Sequence, residues 1–509
     1  MHRKWNLPRG LPLLAVLCLT GVLVGAPPVA AEEGGEPAAQ LQWGPCPEDV
    51  PAEPPQLQCA TMPVPLNYGD PGGAQIDLMI SRLASTKPDK RRGVLLLNPG
   101  GPGGSGLGLS KLLATQEMPV DVLDSYDLIG MDTRGVGHSS PVSCGFTVGQ
   151  PYFTNIPPYA ADDAAVAEQA AVAQGVAAQC AANDHEGRLP HLTTANNARD
   201  LDRIRAALGE ETASFLGYSY GTAVGAAYAS MFPDRADRVV LDSNIGDTFL
   251  DQDGMRRYAR GTEETFPDFA RWAAVRHDSY GLGRTPEEVR ATYFTLAEGL
   301  DKKPVDGIDG GLFRFSVFAS LFNTKSYDLM AQTWQTQLAA VRAGSAGDPA
   351  AAEPPIDLEA VSPADNSLTV FLATTCNDVE WPEDVGAYQR AVAEDREQYP
   401  LFGAATANIV PCAYWKWGPV EPPVQIDDSG SADVLILQNQ RDPVTPLRGG
   451  ELLDEKFGER SRLVTADGSG HGVYVLGKNP CALNIATDYL VDGTMPEKDV
   501  ACGSIPAGG

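Results

Sequence analysis

Gly217-Tyr218-Ser219-Tyr220-Gly221 fits G-x-S-x-G, the pattern that places a serine hydroxyl on a sharp turn between a strand and a helix. The pentapeptide is short, so its context matters. An apolar run at 213–216 leads into it and a helical pattern at 220–231 leaves it. The positive end of a helix dipole would therefore lie beside the seryl oxygen. A serine hydroxyl attacks only when a neighbouring base takes its proton. Outside the first 31 residues the histidines are His138, His185, His191, His277 and His471. His471 sits in Asp467-Gly468-Ser469-Gly470-His471-Gly472, a flexible loop directly after a predicted strand. His185 and His191 fall in a polar loop and His277 in the segment 247–429, which interrupts the rhythm of strands and helices. His138 follows a strand ending at Asp132, where a structural or rim role is expected. The acid that orients the base should follow a strand between Ser219 and His471. Asp442 in Gln440-Arg441-Asp442-Pro443-Val444-Thr445-Pro446 does so, whereas Asp433 stands at the wrong end of that strand and Asp467 is only four residues from His471. Ser219 as nucleophile, His471 as base and Asp442 as orienting acid describe acyl transfer through a Ser-His-Asp triad.

Acyl transfer also needs N–H groups aimed at the developing oxyanion. Asn98-Pro99-Gly100-Gly101-Pro102-Gly103-Gly104-Ser105-Gly106 follows the apolar run 94–97. The N–H of Gly101 together with that of Tyr220 is expected to form the hole. The rival reading of this loop is a phosphate cradle. It lacks the lysine of GxxxxGK[ST], and two prolines interrupt the G-x-G-x-x-G match at 101–106. HExxH and CxxC are absent, and no tight His/Cys/carboxylate cluster suggests a metal, so neither a metal nor a cofactor is expected.

These residues must be held by larger elements. Two β-type stretches, 61–67 and 75–82, flank a Gly/Pro turn. Apolar runs at 94–97, 126–131, 213–216 and 238–242 then alternate with helical patterns at 196–208 and 220–231. Short apolar runs alternating with helices indicate a largely parallel sheet buried on both faces. The rhythm stops near residue 247 and resumes with the strand 434–437, the helix 449–457, the strand 462–466 and the helix 481–490. Between them, helical patterns such as 286–300 and 326–341 dominate, and 368–373 is the one good apolar β run. The Ala-rich segment 160–182 reads as a surface helix. The expected fold is α/β, a doubly wound and mostly parallel sheet with a mainly helical cap inserted before the acid-bearing strand. The expected divisions are a leader at 1–31, core at 32–246, cap at 247–429 and core again at 430–509.

The chain has 509 residues, 43% of them hydrophobic, and a net charge of −28. A chain this acidic is ill suited to binding nucleic acid or anionic lipid, because each requires a cationic face. Arg3, Lys4 and Arg9 precede an apolar run at 11–26 that ends in small residues, which reads as a secretory signal peptide. A membrane anchor is disfavoured by the shortness of the run and by Pro12, Gly21 and Gly25. A lipoprotein site at Cys18 is disfavoured by the bulky Leu17 before it. Loss of the leader removes Cys18 and leaves eight of the nine cysteines, an even number suited to four disulfides in an exported protein. Pairing each cysteine with the next along the chain is the simplest of 105 arrangements.

Taken together, these motifs resemble the secreted tripeptidyl aminopeptidases of actinomycetes, relatives of prolyl aminopeptidases within the α/β-hydrolases. The resemblance rests on Val64-Pro65-Leu66-Asn67-Tyr68, the 98–106 loop, Asp132-Thr133-Arg134-Gly135-Val136-Gly137-His138-Ser139 and the elbow. It also rests on Arg441-Asp442-Pro443-Val444-Thr445-Pro446, Gly470-His471-Gly472 and Tyr489-Leu490-Val491-Asp492-Gly493. It implies a secreted serine exopeptidase that removes short peptides, tripeptides above all, from free N-termini beneath a helical cap. Pro99 stands where prolyl aminopeptidases carry histidine, which favours the tripeptidyl branch. An aminopeptidase must also bind an ammonium group, and Asp378 and Glu380 in Cys376-Asn377-Asp378-Val379-Glu380-Trp381 are candidates. The partners implied are peptides or proteins with free N-termini, with no nucleic acid and no stable membrane insertion. The surplus of acids has one further use, in drawing cationic peptide ends toward the site. The alternatives are a carboxylesterase with the same triad and a non-catalytic binding protein on the same fold.

Overall fold

A computed structural model describes residues 41–50, 56–344 and 357–504. The expected leader at 1–31 lies outside the described residues. Among the described residues nine strands form one sheet: β1 (Gln58–Pro65), β2 (Gln75–Leu83), β3 (Gly93–Asn98), β4 (Tyr126–Met131), β5 (Ala213–Tyr218), β6 (Ala236–Asp242), β7 (Val434–Arg441), β8 (Ser461–Ser469) and β9 (Val500–Cys502). Their order is β1-β2-β4-β3-β5-β6-β7-β8-β9. β1 pairs antiparallel with β2, and β2 with β4; all the other pairs are parallel. Every residue of β3, β4 and β5 is buried, as continuous apolar runs in a sheet covered on both faces must be. β1 and β2 instead alternate buried with exposed positions, the pattern of strands with one face open to water.

The strand order reverses where β3 meets β5, and crevices at such reversals lie at the carboxyl ends of the strands. Asn98 at the end of β3 is in register with Gly217, and Tyr218 at the end of β5 is in register with Asp242 at the end of β6. The 98–106 loop, the elbow and the ends of β6, β7 and β8 thus open on the same edge.

Between β6 and β7 lies the helical cap, whose longer helices are Gln252–Ala274, Pro286–Lys302, Gly310–Ser320, Tyr327–Ala343, Asp365–Asp378 and Val385–Gln398. It has an aromatic centre of its own. Trp334 is almost wholly buried, with ring centroids of Phe266, Phe269, Tyr293 and Phe313 between 5.1 and 6.2 Å away.

Two local expectations need correction. The apolar run 368–373 is not a strand but part of the helix Asp365–Asp378. A six-residue apolar run carries no periodicity that separates the two, and here almost the whole helix is buried, so no polar face marks the 3.6-residue repeat. The Ala-rich helix, Asp163–Asn183, is not simply a surface element. Val166, Ala170, Ala173, Val176, Ala177 and Cys180 are buried, because small side chains let neighbouring segments approach. β9, absent from the sequence reading, is too short to announce itself; pairing with β8 and the Cys481–Cys502 bridge define it. The other disulfides are Cys46–Cys59, Cys144–Cys180 and Cys376–Cys412, so each cysteine joins the next along the chain. Among the described residues no helix is long and apolar enough to cross a membrane.

Candidate active site

Ser219 follows β5 directly and adopts φ +58°, a left-handed conformation uncommon for a residue with a side chain. Such strain persists where the surroundings over-determine it. Here the Ser219 N–H donates to the Asp242 carbonyl at 3.0 Å, and the Ser219 carbonyl accepts from the Thr222 N–H and hydroxyl at 2.9 and 2.6 Å. A Cβ at Gly217 would come within 2.4 Å of the Gly221 carbonyl oxygen, and one at Gly221 within 2.8 Å of the Asn98 carbonyl oxygen. Both glycines of the motif are therefore steric necessities. The helix Gly221–Met231 starts immediately after, and the half-buried Ser219 hydroxyl makes no hydrogen bond among the described residues.

Asp442 follows β7 directly, at the start of the turn that leads into the helix Leu447–Phe457, and its side chain is wholly buried. Oδ1 accepts from the Val444 and Thr445 N–H groups at 3.0 and 2.9 Å. Oδ2 accepts from the Thr445 hydroxyl at 2.8 Å and from His471 Nδ1 at 2.8 Å. Four donors hold the carboxylate, and one of them is the imidazole. The His471 side chain is 17% exposed. Burial opposes its positive charge, but the charge and hydrogen bond of Asp442, with Asp242 farther off, prevail and raise its pKa above the ordinary 6.5. Asn439 of β7 donates to the Gly470 and Gly472 carbonyls at 2.9 and 3.1 Å. From the cap, the Phe322 carbonyl accepts the His471 N–H at 2.8 Å, and its ring meets the imidazole edge-on with centroids 5.3 Å apart.

The 98–106 loop rests against the elbow. The Gly100 N–H donates to Asn98 Oδ1 at 2.8 Å, and a Cβ at Gly100 would lie 2.5 Å from the Tyr218 carbonyl oxygen and 3.0 Å from the Tyr220 nitrogen. Neither the Gly101 nor the Tyr220 N–H donates a hydrogen bond among the described residues. Two unused donors beside a serine on a left-handed turn suit a developing oxyanion. Asp132 ties the far end of the loop down, with Oδ1 accepting from the Ser105 hydroxyl at 2.5 Å and the Gly106 N–H at 3.1 Å. His138 is half-buried, its ring nitrogen 3.1 Å from Asp49 and its backbone N–H donating to Asp132 Oδ2 at 2.9 Å. Arg134 and Asp200 form a fully buried ion pair.

The two candidate ammonium-binding acids have different settings. Asp378 ends its helix buried, with its oxygens taken by the Thr194 N–H at 2.8 Å and hydroxyl at 2.6 Å. Thr194 in turn meets the Tyr220 hydroxyl at 2.7 Å, so Asp378 reaches the elbow through Tyr220. Burial pushes its carboxyl up to about 7, against the Thr194 hydrogen bonds and with the help of Glu421. Glu380 is exposed and makes no hydrogen bond or ion pair among the described residues. Among those residues, no group of three His, Cys, Asp or Glu could hold a metal. Asp132 and Thr445 belong to sequence motifs that assign them no role, and Asn439 and Phe322 lie outside every motif. Asp132 and Thr445 stand just beyond strands and Asn439 near the end of β7, a usable signal; Phe322 carries none, because only the packing of the cap brings it to His471.

Residues 399–502 match the TAP-like protein family. The chain is 34% identical over 484 residues to the tripeptidyl aminopeptidase of Streptomyces coelicolor, covering 91% of this chain and 86% of that one. It is 28% identical over 521 residues to serine protease Hip1 of Mycobacterium tuberculosis, covering 98% and 97%. It is 30% identical over 524 residues to carboxylesterase B of the same organism, covering 97% and 99%.

Proposed function

The chain belongs to the tripeptidyl-aminopeptidase-like family of α/β-hydrolases and is a serine peptidase, and from that premise we propose that it is a secreted exopeptidase releasing tripeptides from free N-termini. Ser219 Oγ attacks the scissile carbonyl while His471 Nε2 takes its proton. The carbonyl oxygen becomes an oxyanion between the Gly101 and Tyr220 N–H groups. His471, now an imidazolium stabilised by Asp442, returns the proton to the leaving amine as the C–N bond breaks. Water, deprotonated by His471, then releases the acyl group and restores the serine. The observation that carries this reading is the 2.8 Å bond from His471 Nδ1 to the buried Asp442 carboxylate, which leaves Nε2 as the nitrogen free to take a proton.

Exopeptidase action needs an acid for the substrate ammonium. Asp378 and Glu380 are the proposed pair, and Glu380 is the one whose oxygens are still free. Export is supported by the leader sequence together with four disulfides. The second reading, an esterase using the same triad, is favoured by the likeness to carboxylesterase B.

Chromogenic tripeptides with free and acetylated N-termini, compared beside a short-chain ester, test the proposal. Cleavage of the free tripeptide at least tenfold faster than the acetylated one is expected, with a raised KM for the free form in Glu380→Gln. Equal cleavage of both would sink the aminopeptidase reading, and ester turnover alone would favour the esterase.

A further inference from the structure

Asp242, the last residue of β6, is wholly buried and has no cation within hydrogen-bonding reach among the described residues. Its two oxygens face donors instead. Oδ1 accepts from the Ser243 hydroxyl at 2.9 Å and the Val473 N–H at 2.9 Å. Oδ2 accepts from the Tyr474 N–H at 2.6 Å and shares the Val473 N–H at 3.1 Å. Both N–H groups belong to the segment that follows His471. The Asp242 carbonyl meanwhile accepts the Ser219 N–H at 3.0 Å. One residue therefore grips the elbow with its backbone and the histidine loop with its side chain.

Its neighbours repeat the connection. The Tyr218 hydroxyl, from the residue just before Ser219, donates to the Tyr474 carbonyl at 3.0 Å. The Gly472 N–H donates to the Ser243 hydroxyl at 2.9 Å. Tyr474 is thus held by its N–H from Asp242 and by its carbonyl from Tyr218, and it is buried.

We propose that Asp242, assisted by Tyr218, is a positioning residue that clamps the His471 loop to the Ser219 elbow and so sets the distance between base and nucleophile. Asp242 does not bond the imidazole; that place is taken by Asp442. It acts on the main chain on either side of the reacting pair. Burial pushes its carboxyl up to about 7, while the Tyr474 N–H, the Ser243 hydroxyl, the Val473 N–H and the charge of His471 favour the ionised form. A carboxylate kept in so apolar a place is costly unless its donors are well aimed. Asparagine is a poor substitute. Whichever way its amide is turned, an NH₂ faces either the Tyr474 nitrogen 2.6 Å away or the Val473 nitrogen 2.9 Å away. The loop must then shift, and a displacement of about 1 Å between reacting groups costs about 10²-fold in rate.

The inference rests on the Ser219-His471-Asp442 reading, so the test includes Ser219→Ala and uses a short-chain ester and a fluorophosphonate, which need the triad but no tripeptide. For Asp242→Asn, kcat per titratable site should fall about 10²-fold with KM within about threefold, and fluorophosphonate inactivation should slow by a similar factor. Tyr218→Phe, which loses one hydrogen bond, should lose about fivefold in kcat. A purely structural role would lower the titratable fraction or the melting temperature and leave kcat per site unchanged, and that result would overturn the proposal. Should Asp242→Asn fail to fold, Tyr218→Phe decides alone, and an unchanged kcat per site there refutes the clamp. Activity surviving in Ser219→Ala would remove the triad reading beneath it, whereas an inactive Ser219→Ala beside an unimpaired Asp242→Asn would overturn only this inference.

Discussion

Asp442→Asn separates a triad acid from a carboxylate that merely shapes a turn. Oδ1 receives the Val444 and Thr445 N–H groups at 3.0 and 2.9 Å, so the amide oxygen of the variant must stay there. Turning it over would set an NH₂ against two buried donors, at about 1–3 kcal/mol for each bond left unmade. The NH₂ therefore replaces Oδ2, 2.8 Å from His471 Nδ1. It donates to Nδ1, which must then be unprotonated, and the ring proton moves to Nε2, where the serine proton should be accepted. In serine proteases that wrong tautomer costs about 10⁴ in kcat, or roughly 5 kcal/mol. The Thr445 hydroxyl, 3.2 Å from Nδ1, can accept from the productive tautomer in part, so the loss expected here is about 10³ to 10⁴. Asp442→Asn combined with Thr445→Val should fall lower still. The turn keeps its Oδ1 bonds, so the melting temperature should change little. The assay is kcat on a chromogenic tripeptide per molecule of folded protein, with melting temperature alongside. A loss below tenfold in a folded Asp442→Asn would refute the assignment of the acid.

Gly100→Ala tests the seating of the 98–106 loop, the proposed source of an oxyanion donor. Its Cβ would sit 2.5 Å from the Tyr218 carbonyl oxygen and 2.8 Å from Ser219 Cβ, at φ +92°. A fall of about 10² to 10³ in kcat for ester turnover is expected, the cost of losing one oxyanion donor; near-normal turnover would contradict the loop's role. Asp378→Asn tests the buried carboxyl behind Tyr220. Burial raises its pKa from 3.8 to about 7, so the folded chain holds a proton that the unfolded chain releases between those values. Its contribution to stability is present below pH 4, declines as pH rises to 7 and is constant above, a cost of about 4 kcal/mol at most. Asparagine can accept from the Thr194 N–H and donate to the Thr194 hydroxyl, so the variant should lose less stability than the parent between pH 5 and pH 8. Thermal melts at the two values check this, and equal losses would contradict the buried-acid account.

Much of this protein was legible along the chain because its signals are local. The elbow, the glycine loop and the loops carrying Asp442 and His471 each follow an apolar run that can be read within a dozen residues. Buried parallel strands must be continuously apolar, and a strained turn needs its glycines within two positions. The order of Ser219, Asp442 and His471 follows from which strands they terminate, and the interrupted β/α rhythm marked the cap. The apolar run 368–373 could not be read this way, since a helix buried along almost its whole length shows too little polar face to display its period. What only the tertiary structure decided lies between residues distant in sequence. Asp378 is occupied by Thr194, 184 positions away, so its free acidity could not be judged from the acids beside it. Asp242 grips Val473 and Tyr474 more than 200 positions later, and the cap brings Phe322 to His471. A hydrogen bond depends on distance and direction in space. Neither is encoded in the spacing of two residues when a sheet and a cap must fold before they meet.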